Sequence, residues 1–212
     1  MQAMSVQDAM FLHVENDVTP MHIGGVSIFE GPPPPFEELR SMVEGKLHLT
    51  PRYRQKVRFV PLGMGEPVWV DDPHFNIDYH LRHTAVPSPG TEEQLRATAA
   101  RVFSQHLDRS KPLWEIWMVQ GLEDDRWALL SKVHHCMVDG VAATDMMSLM
   151  FGGSADPTNG EVWLPEPEPS GLELVAYSAR HRVRDPAAQI RFALRAPSEV
   201  LHGLAGDRKS VV

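Results

Sequence analysis

Trp127-Ala128-Leu129-Leu130-Ser131-Lys132-Val133-His134-His135-Cys136-Met137-Val138-Asp139-Gly140 is the stretch on which the fold of this chain turns. Apolar residues dominate from Trp127 to Cys136, which predicts a strand buried on both faces for much of its length. Leu113 to Leu122 is equally apolar, and Glu123, Asp124, Asp125 and Arg126 separate the two runs, so a central hairpin is expected. Val141 to Met150 then places Val141, Ala142, Met146, Leu149 and Met150 in a helical pattern that Gly152-Gly153 ends. The histidine pair therefore stands where a strand gives way to a helix.

Histidine fills 11, aspartate 13 and glycine 15 of the 212 positions. His134, His135, Asp139 and Gly140 would coincide by chance in about one such chain in 400. Neighbouring strand residues face opposite ways, so His135 goes with Val133, Ser131 and Leu129, and His134 with Lys132 and Leu130. One histidine should act and the other support it. An imidazole, ordinarily titrating near pH 6.5, can take a proton from a hydroxyl at neutral pH. Asp139 could orient a histidine or pair with an arginine, and Gly140 permits a close backbone approach. The chemistry indicated is a histidine base activating a hydroxyl. A lone strand histidine is usually only a satisfied interior group, but the four-position coincidence outweighs that reading. A metal held by His134, His135 and Asp139 is disfavoured, because adjacent histidines rarely converge on one ion and neither Cys-x-x-Cys nor His-Glu-x-x-His occurs.

Outward from the hairpin, Thr91 with Glu92 and Glu93 opens a helix that should run to about Asp108, with Leu95, Ala99, Val102, Phe103 and His106 on one side. Ser5 and Asp8 form an acidic capping pattern ahead of a short helix reaching Asn16. Met21 to Glu30 reads as a strand, Gly31 to Pro35 as a rigid turn, and Phe36 to about Leu49 as a helix. Gln55 to Pro61, Pro67 to Val70 and Asn76 to His83 read as short strands.

With 28 acidic against 20 basic residues and 42% hydrophobic content, the chain is neither disordered, collagenous nor a nucleic-acid binder working by bulk charge. The single cysteine, Cys136, fits a reducing compartment, and no apolar run is long enough to span a bilayer or serve as a secretory signal. A cytoplasmic location is expected. Residues 153–170 are proline-rich and acidic and read as a linker. Residues 171–212 carry seven basic and four acidic side chains, +3 against −11 for residues 1–170. Arg180, Arg182 and Arg184 after Leu172, Leu174 and Val175 allow an interfacial helix at a membrane or lipid droplet, although a helix packed on a further domain is favoured.

The sequence resembles the bacterial wax ester synthase/diacylglycerol acyltransferases, including mycobacterial triacylglycerol synthases, over nearly all of residues 4–150. The resemblance rests on Met4-Ser5-Val6-Gln7-Asp8-Ala9-Met10-Phe11, Pro20-Met21-His22-Ile23-Gly24-Gly25 and Phe29-Glu30-Gly31-Pro32. It continues through Leu107-Asp108-Arg109-Ser110-Lys111-Pro112-Leu113-Trp114-Glu115 and the His-His-x-x-x-Asp-Gly run. That last motif alone is shared with other coenzyme A-dependent acyltransferases and with condensation domains.

The resemblance implies the N-terminal domain of a chloramphenicol acetyltransferase-like α/β fold, a mixed sheet flanked by helices, with the active site in a tunnel between two similar domains. It implies that His135 is the general base toward a diacylglycerol or fatty-alcohol hydroxyl, which attacks a fatty acyl-CoA with no acyl-enzyme intermediate and no bound cofactor. His134 would support, Asp139 would be structural, Gly140 would make the turn, and Pro112, Leu113 and Trp114 would shape the tunnel or simply pack the hairpin. Family members are expected to be about twice this long, residues 1–152 forming the N-terminal domain and 171–212 an interdomain segment. No oxyanion donor is identifiable, so little activity is expected from residues 1–212 alone. The rival functions are a binding domain that holds a lipid or acyl carrier without turnover, and a condensation-type enzyme.

Overall fold

In the computed structural model, residues 1–138 and 163–184 are described. The predicted helix over 141–150 lies outside them, as do Asp139, Gly140, the start of the linker and everything after Arg184.

The elements follow in the order β1 (Gln2–Ala3), α1 (Val6–Val14), β2 (His22–Glu30), α2 (Phe36–Lys46), β3 (Gln55–Arg58), β4 (Val68–Asp71), α3 (Ile77–His80), β5 (Leu81–Ala85), α4 (Glu92–Ser104), β6 (Trp114–Leu122), β7 (Arg126–His134) and α5 (Gly171–Arg184). The hairpin is β6–β7, and Asp124 and Asp125 close it with φ of 59° and 52°, the left-handed pair that a tight turn between twisted strands requires. It lies at the centre of a four-stranded sheet, β2-β7-β6-β5, in which only β5–β6 is parallel. Burial on both faces follows. Ile116, Met118 and Leu129 pack against Leu39 and Val43 of α2, whereas Val119, Ala128 and Leu130 pack against Leu95, Ala99 and Val102 of α4.

The starts of α1 and α4 have local causes. Ser5 Oγ accepts from the Asp8 amide at 3.1 Å and donates to its carboxylate at 2.7 Å. Thr91 and Gln94 form a reciprocal capping box, with Glu92 and Glu93 in the first turn. The α4 helix stops at Ser104, short of the expected Asp108, and its last carbonyls are taken by other elements. Lys132 Nζ donates to the Val102 and Gln105 carbonyls at 3.0 and 2.7 Å, and His22 Nε2 donates to that of Phe103 at 2.8 Å. Gly24 makes room for this end of the helix, since a Cβ there would stand 2.9 Å from the Phe103 ring.

Other boundaries also differ from expectation. Asn76–His83 is not one strand: Asn76 Oδ1 accepts from the Asp78 amide at 3.0 Å, which turns Ile77–His80 into a helical turn before β5 begins. Pro61 starts a 3₁₀ turn, so β3 ends at Arg58, and α2 tightens to 3₁₀ geometry over Leu47–Leu49.

A second sheet, β1-β4-β3, is covered by α5, whose Leu174 is fully buried among Val60, Val68 and Val70. Leu174, Val175 and Tyr177 of this helix are therefore packed on the chain's own second sheet. Residues 163–170, the end of the stretch read as a linker, reach the same sheet. Glu168 pairs with Lys56 and Arg58, and Arg54 lies 5.1 Å over the Trp163 ring. Leu174→Ala should cost about 2–5 kcal/mol through lost burial and the cavity left behind. In urea this would lower the unfolding midpoint at unchanged slope, and an unaltered midpoint would show that α5 contributes nothing to stability.

Candidate active site

The strand β7 ends on His134, and His135 opens a 3₁₀ turn, His135–Met137. That change of backbone separates the two imidazoles more sharply than strand alternation does. His134 keeps to the Lys132 and Leu130 side and is fully buried. Its Nδ1 accepts from the Cys136 amide at 3.1 Å, so its proton resides on Nε2, which lies 3.5 Å from Glu15 Oε2. Burial, outweighing the attraction of Glu15, pushes its pKa down to about 4, and the nearby Arg109 cation adds to the fall. At neutral pH this ring is uncharged and has no lone pair to offer a substrate or a metal.

His135 is different in each respect. It is half-buried, it stacks on Phe11 with ring centroids 4.8 Å apart, and its amide donates to the Met21 carbonyl at 2.9 Å. No described residue hydrogen-bonds either of its ring nitrogens. Of the pair, it is the histidine whose ring nitrogens have no hydrogen-bond partner among the described residues.

Glu15 and Arg109 were not singled out from the sequence. The Glu15 carboxylate, its side chain 4% exposed, accepts from Arg109 Nη2 at 2.7 Å, Arg109 Nε at 2.9 Å and the Met21 amide at 3.0 Å. Burial alone would raise its pKa, but the Met21 and Arg109 hydrogen bonds with the neighbouring charges bring it below the ordinary value. Its one sequence signal was a carboxylate at the end of an apolar helical run. Arg109 was visible only as part of the Leu107–Glu115 run.

Cys136, between the pair and the core, is buried, and that burial drives its thiol well above the ordinary range, so it is no nucleophile. His22 faces His134 across the β2–β7 ladder, and burial lowers its pKa. Pro112, Leu113 and Trp114 are all buried. Trp114 donates from Nε1 to the Tyr53 carbonyl at 2.8 Å and stacks on His80, while Leu113 packs with Leu12, Leu107 and Cys136. The Leu113 carbonyl also accepts from the His134 amide at 3.0 Å. Asp139 and Gly140 lie outside the described residues. Among the described residues, no three His, Cys, Asp or Glu gather as metal ligands.

The catalytic-domain profile of the wax ester synthases/diacylglycerol acyltransferases matches residues 4–210. A relative from Mycobacterium tuberculosis H37Rv, the probable diacylglycerol O-acyltransferase tgs3, is 39% identical over 192 residues, which are 89% of this chain and 71% of that protein. The wax ester synthase/diacylglycerol acyltransferase from Marinobacter aquaeolei VT8 superposes with a TM-score of 0.58 at 32% identity, over 69% of this chain and 37% of that one. The starter condensation domain of rhizomide synthetase RzmA superposes with a TM-score of 0.59 over 86% of this chain and 44% of that one, but at 14% identity it shares the fold alone. The chain thus spans little more than a third of the Marinobacter enzyme. The expectation of relatives about twice as long does not extend to tgs3, of which the matched residues are already 71%. The architecture is that of the coenzyme A-dependent acyltransferases, and the chain belongs to the wax ester synthase/diacylglycerol acyltransferase catalytic-domain family.

Proposed function

We propose that this chain carries the histidine half-site of an O-acyltransferase that moves a fatty acyl group from coenzyme A to the hydroxyl of a diacylglycerol or a long-chain alcohol. The observation that carries this reading is the asymmetry of the pair. His134 is sealed and neutral, whereas His135 is half-exposed with its ring nitrogens unclaimed by the described residues. In the reaction, His135 takes the proton of the acceptor hydroxyl as its oxygen attacks the thioester carbonyl. The tetrahedral intermediate collapses by breaking the C–S bond, and the coenzyme A thiolate leaves with a proton returned from His135. The enzyme forms no covalent bond to the acyl group. By the family pattern Asp139 would be the structural, orienting residue and Gly140 the turn residue, while Pro112, Leu113 and Trp114 would help shape the tunnel. Fatty acyl-CoA is a co-substrate, and no bound cofactor is called for.

The test is release of free coenzyme A from palmitoyl-CoA by the purified whole protein, with diacylglycerol, with hexadecanol and without acceptor. Acceptor-dependent release together with triacylglycerol or wax ester supports the reading, and binding of acyl-CoA without turnover would assign the chain to the lipid-holding rival.

Peripheral contact with a membrane or lipid droplet is a further part of the proposal. No described helix is long and apolar enough to cross a bilayer. Leu174 is occupied by β4, while Leu172 is 84% exposed. Any surface attachment by α5 would therefore use only its outer side. Flotation with anionic liposomes should be unchanged by Leu172→Ser, and a loss of flotation would identify α5 as the anchor.

A further inference from the structure

The reading of His135 as the base leaves open what holds it in place, because its own turn is short and its side chain is half-exposed. Two contacts fix it among the described residues. Its amide donates to the Met21 carbonyl at 2.9 Å, and its ring lies on Phe11. Both lead back to Glu15, one through its carboxylate and one through its backbone amide. The Met21 amide donates to Glu15 Oε1 at 3.0 Å, so the peptide units that flank Met21 connect Glu15 to His135. Phe11 is one turn before Glu15, and the Glu15 amide donates to the Phe11 carbonyl at 3.1 Å where α1 ends.

The other side of the carboxylate is equally engaged. Arg109 reaches Glu15 with two nitrogens and also donates from Nη2 to the Leu12 carbonyl at 2.9 Å, so one guanidinium fastens both the carboxylate and the last turn of α1. The His134 ring closes the network, with Nε2 3.5 Å from Glu15 Oε2 and Nδ1 accepting from Cys136, the residue after His135. Glu15 thus joins the end of α1 and the Met21 loop six residues on to two segments remote in sequence, the loop of Arg109 and the β7 end.

We propose that Glu15 and Arg109 are positioning residues for His135, a buried carboxylate held by a half-buried arginine that together set the backbone of the base through Met21 and its ring through Phe11. This rests on the reading of His135 as the base. Neither residue touches the reacting atoms. A carboxylate that accepts from the Met21 amide and from two Arg109 nitrogens, with the neutral His134 ring 3.5 Å away, suits this task, because it accepts several hydrogen bonds at once and the arginine favours its ionised form within the fold. An amide in its place could accept from Met21 but could not also receive both Arg109 nitrogens and face the His134 N–H.

Two measurements on the whole protein test this. The first needs no variant: in histidine-¹⁵N-labelled protein at pH 7, His134 should show a protonated Nε2 and a bare Nδ1, and the opposite tautomer overturns the network. The second is steady-state kinetics with palmitoyl-CoA and diacylglycerol, normalised to folded protein. Glu15→Gln should lower kcat at least about tenfold. KM for both substrates should stay within about twofold, and the pH profile of kcat should be displaced. Arg109→Lys should recover much of what Arg109→Met loses. A Glu15→Gln enzyme with normal kcat and profile overturns the proposal, and if that variant does not fold, equal kcat in Arg109→Lys and Arg109→Met does so. Full activity in His135→Ala would instead show that the base itself was misassigned, and the positioning role would fall with it. A dead His135→Ala beside a normal Glu15→Gln would leave the base in place and remove only the positioning role.

Discussion

Replacing His135 by alanine is expected to slow acyl transfer by about 10²–10⁴-fold with little change in thermal stability. The stability expectation follows from its setting: the ring is half-exposed, rests on one face against Phe11 and makes no hydrogen bond to a described residue. Its removal leaves neither a sealed cavity nor a stranded polar partner. His134→Ala should behave in the opposite way. It opens a hole in the core, leaves the Cys136 amide without its acceptor and uncovers one side of the Glu15 carboxylate. The melting temperature should drop by several degrees. The rate per folded molecule should fall by roughly tenfold, through misplacement of its neighbour. The comparison is made with one preparation of each variant, following coenzyme A release and melting together. Near-normal turnover in His135→Ala would refute its assignment as the base. A His134→Ala protein as stable as the parent would refute the structural role of its partner.

The second large effect is on stability toward acid. Burial brings His80 and His134 down to about 4 in the folded chain, from an ordinary 6.5. Both are bases whose folded pKa is depressed, so as pH falls the unfolded chain takes up their protons first. Stability is fully present above about pH 6.5, declines between 6.5 and 4, and by pH 4 has lost up to about 3 kcal/mol for each ring. His22, lowered by burial as well, acts in the same direction. Two such losses together approach the whole stability of an ordinary domain. Glu15 reinforces the trend at lower pH, since a carboxylate held below its usual value withdraws its contribution as it is finally protonated. Urea midpoints measured at pH 7.5, 6, 5 and 4.5 should fall steeply over the last three. A flat series would contradict the neutral burial of these rings. His80→Phe keeps an aromatic between Phe75 and Trp114, where His80 now stacks with ring distances of 5.2 and 4.6 Å, and should remove roughly half of the slope.

What the sequence disclosed and what it hid divide along a physical line. The hairpin, the starts of α1 and α4 and the placing of the histidine pair were legible because each depends on neighbours within a few residues: an apolar run, a capping hydroxyl, a turn of two aspartates. The helical turn after Asn76 is also local, but its signal is one side-chain amide competing with β-favouring neighbours, and the apolar pattern prevailed in the reading. The difference in burial between His134 and His135 was half visible. Alternation separated them, but only the end of β7 at His134 shows which is sealed. The Glu15–Arg109 pair was invisible for a different reason, since its partners are 94 positions apart and no spacing rule joins them. Trp114 was ambiguous in the same way: a tryptophan beside a proline reads equally as tunnel wall or core until its indole N–H is found on the Tyr53 carbonyl.

Lys132, 1% exposed and hydrogen-bonded to the last carbonyls of α4, has a practical consequence. Burial lowers its pKa, and Glu115, 3.8 Å away, opposes the fall. While the α4 end stays docked, the amine is sterically closed to acylating labels. Its modification rate, followed by peptide mass spectrometry, would therefore clock the detachment of the α4 end from the sheet, and so serve as a built-in timer for the opening of the layer behind the histidines.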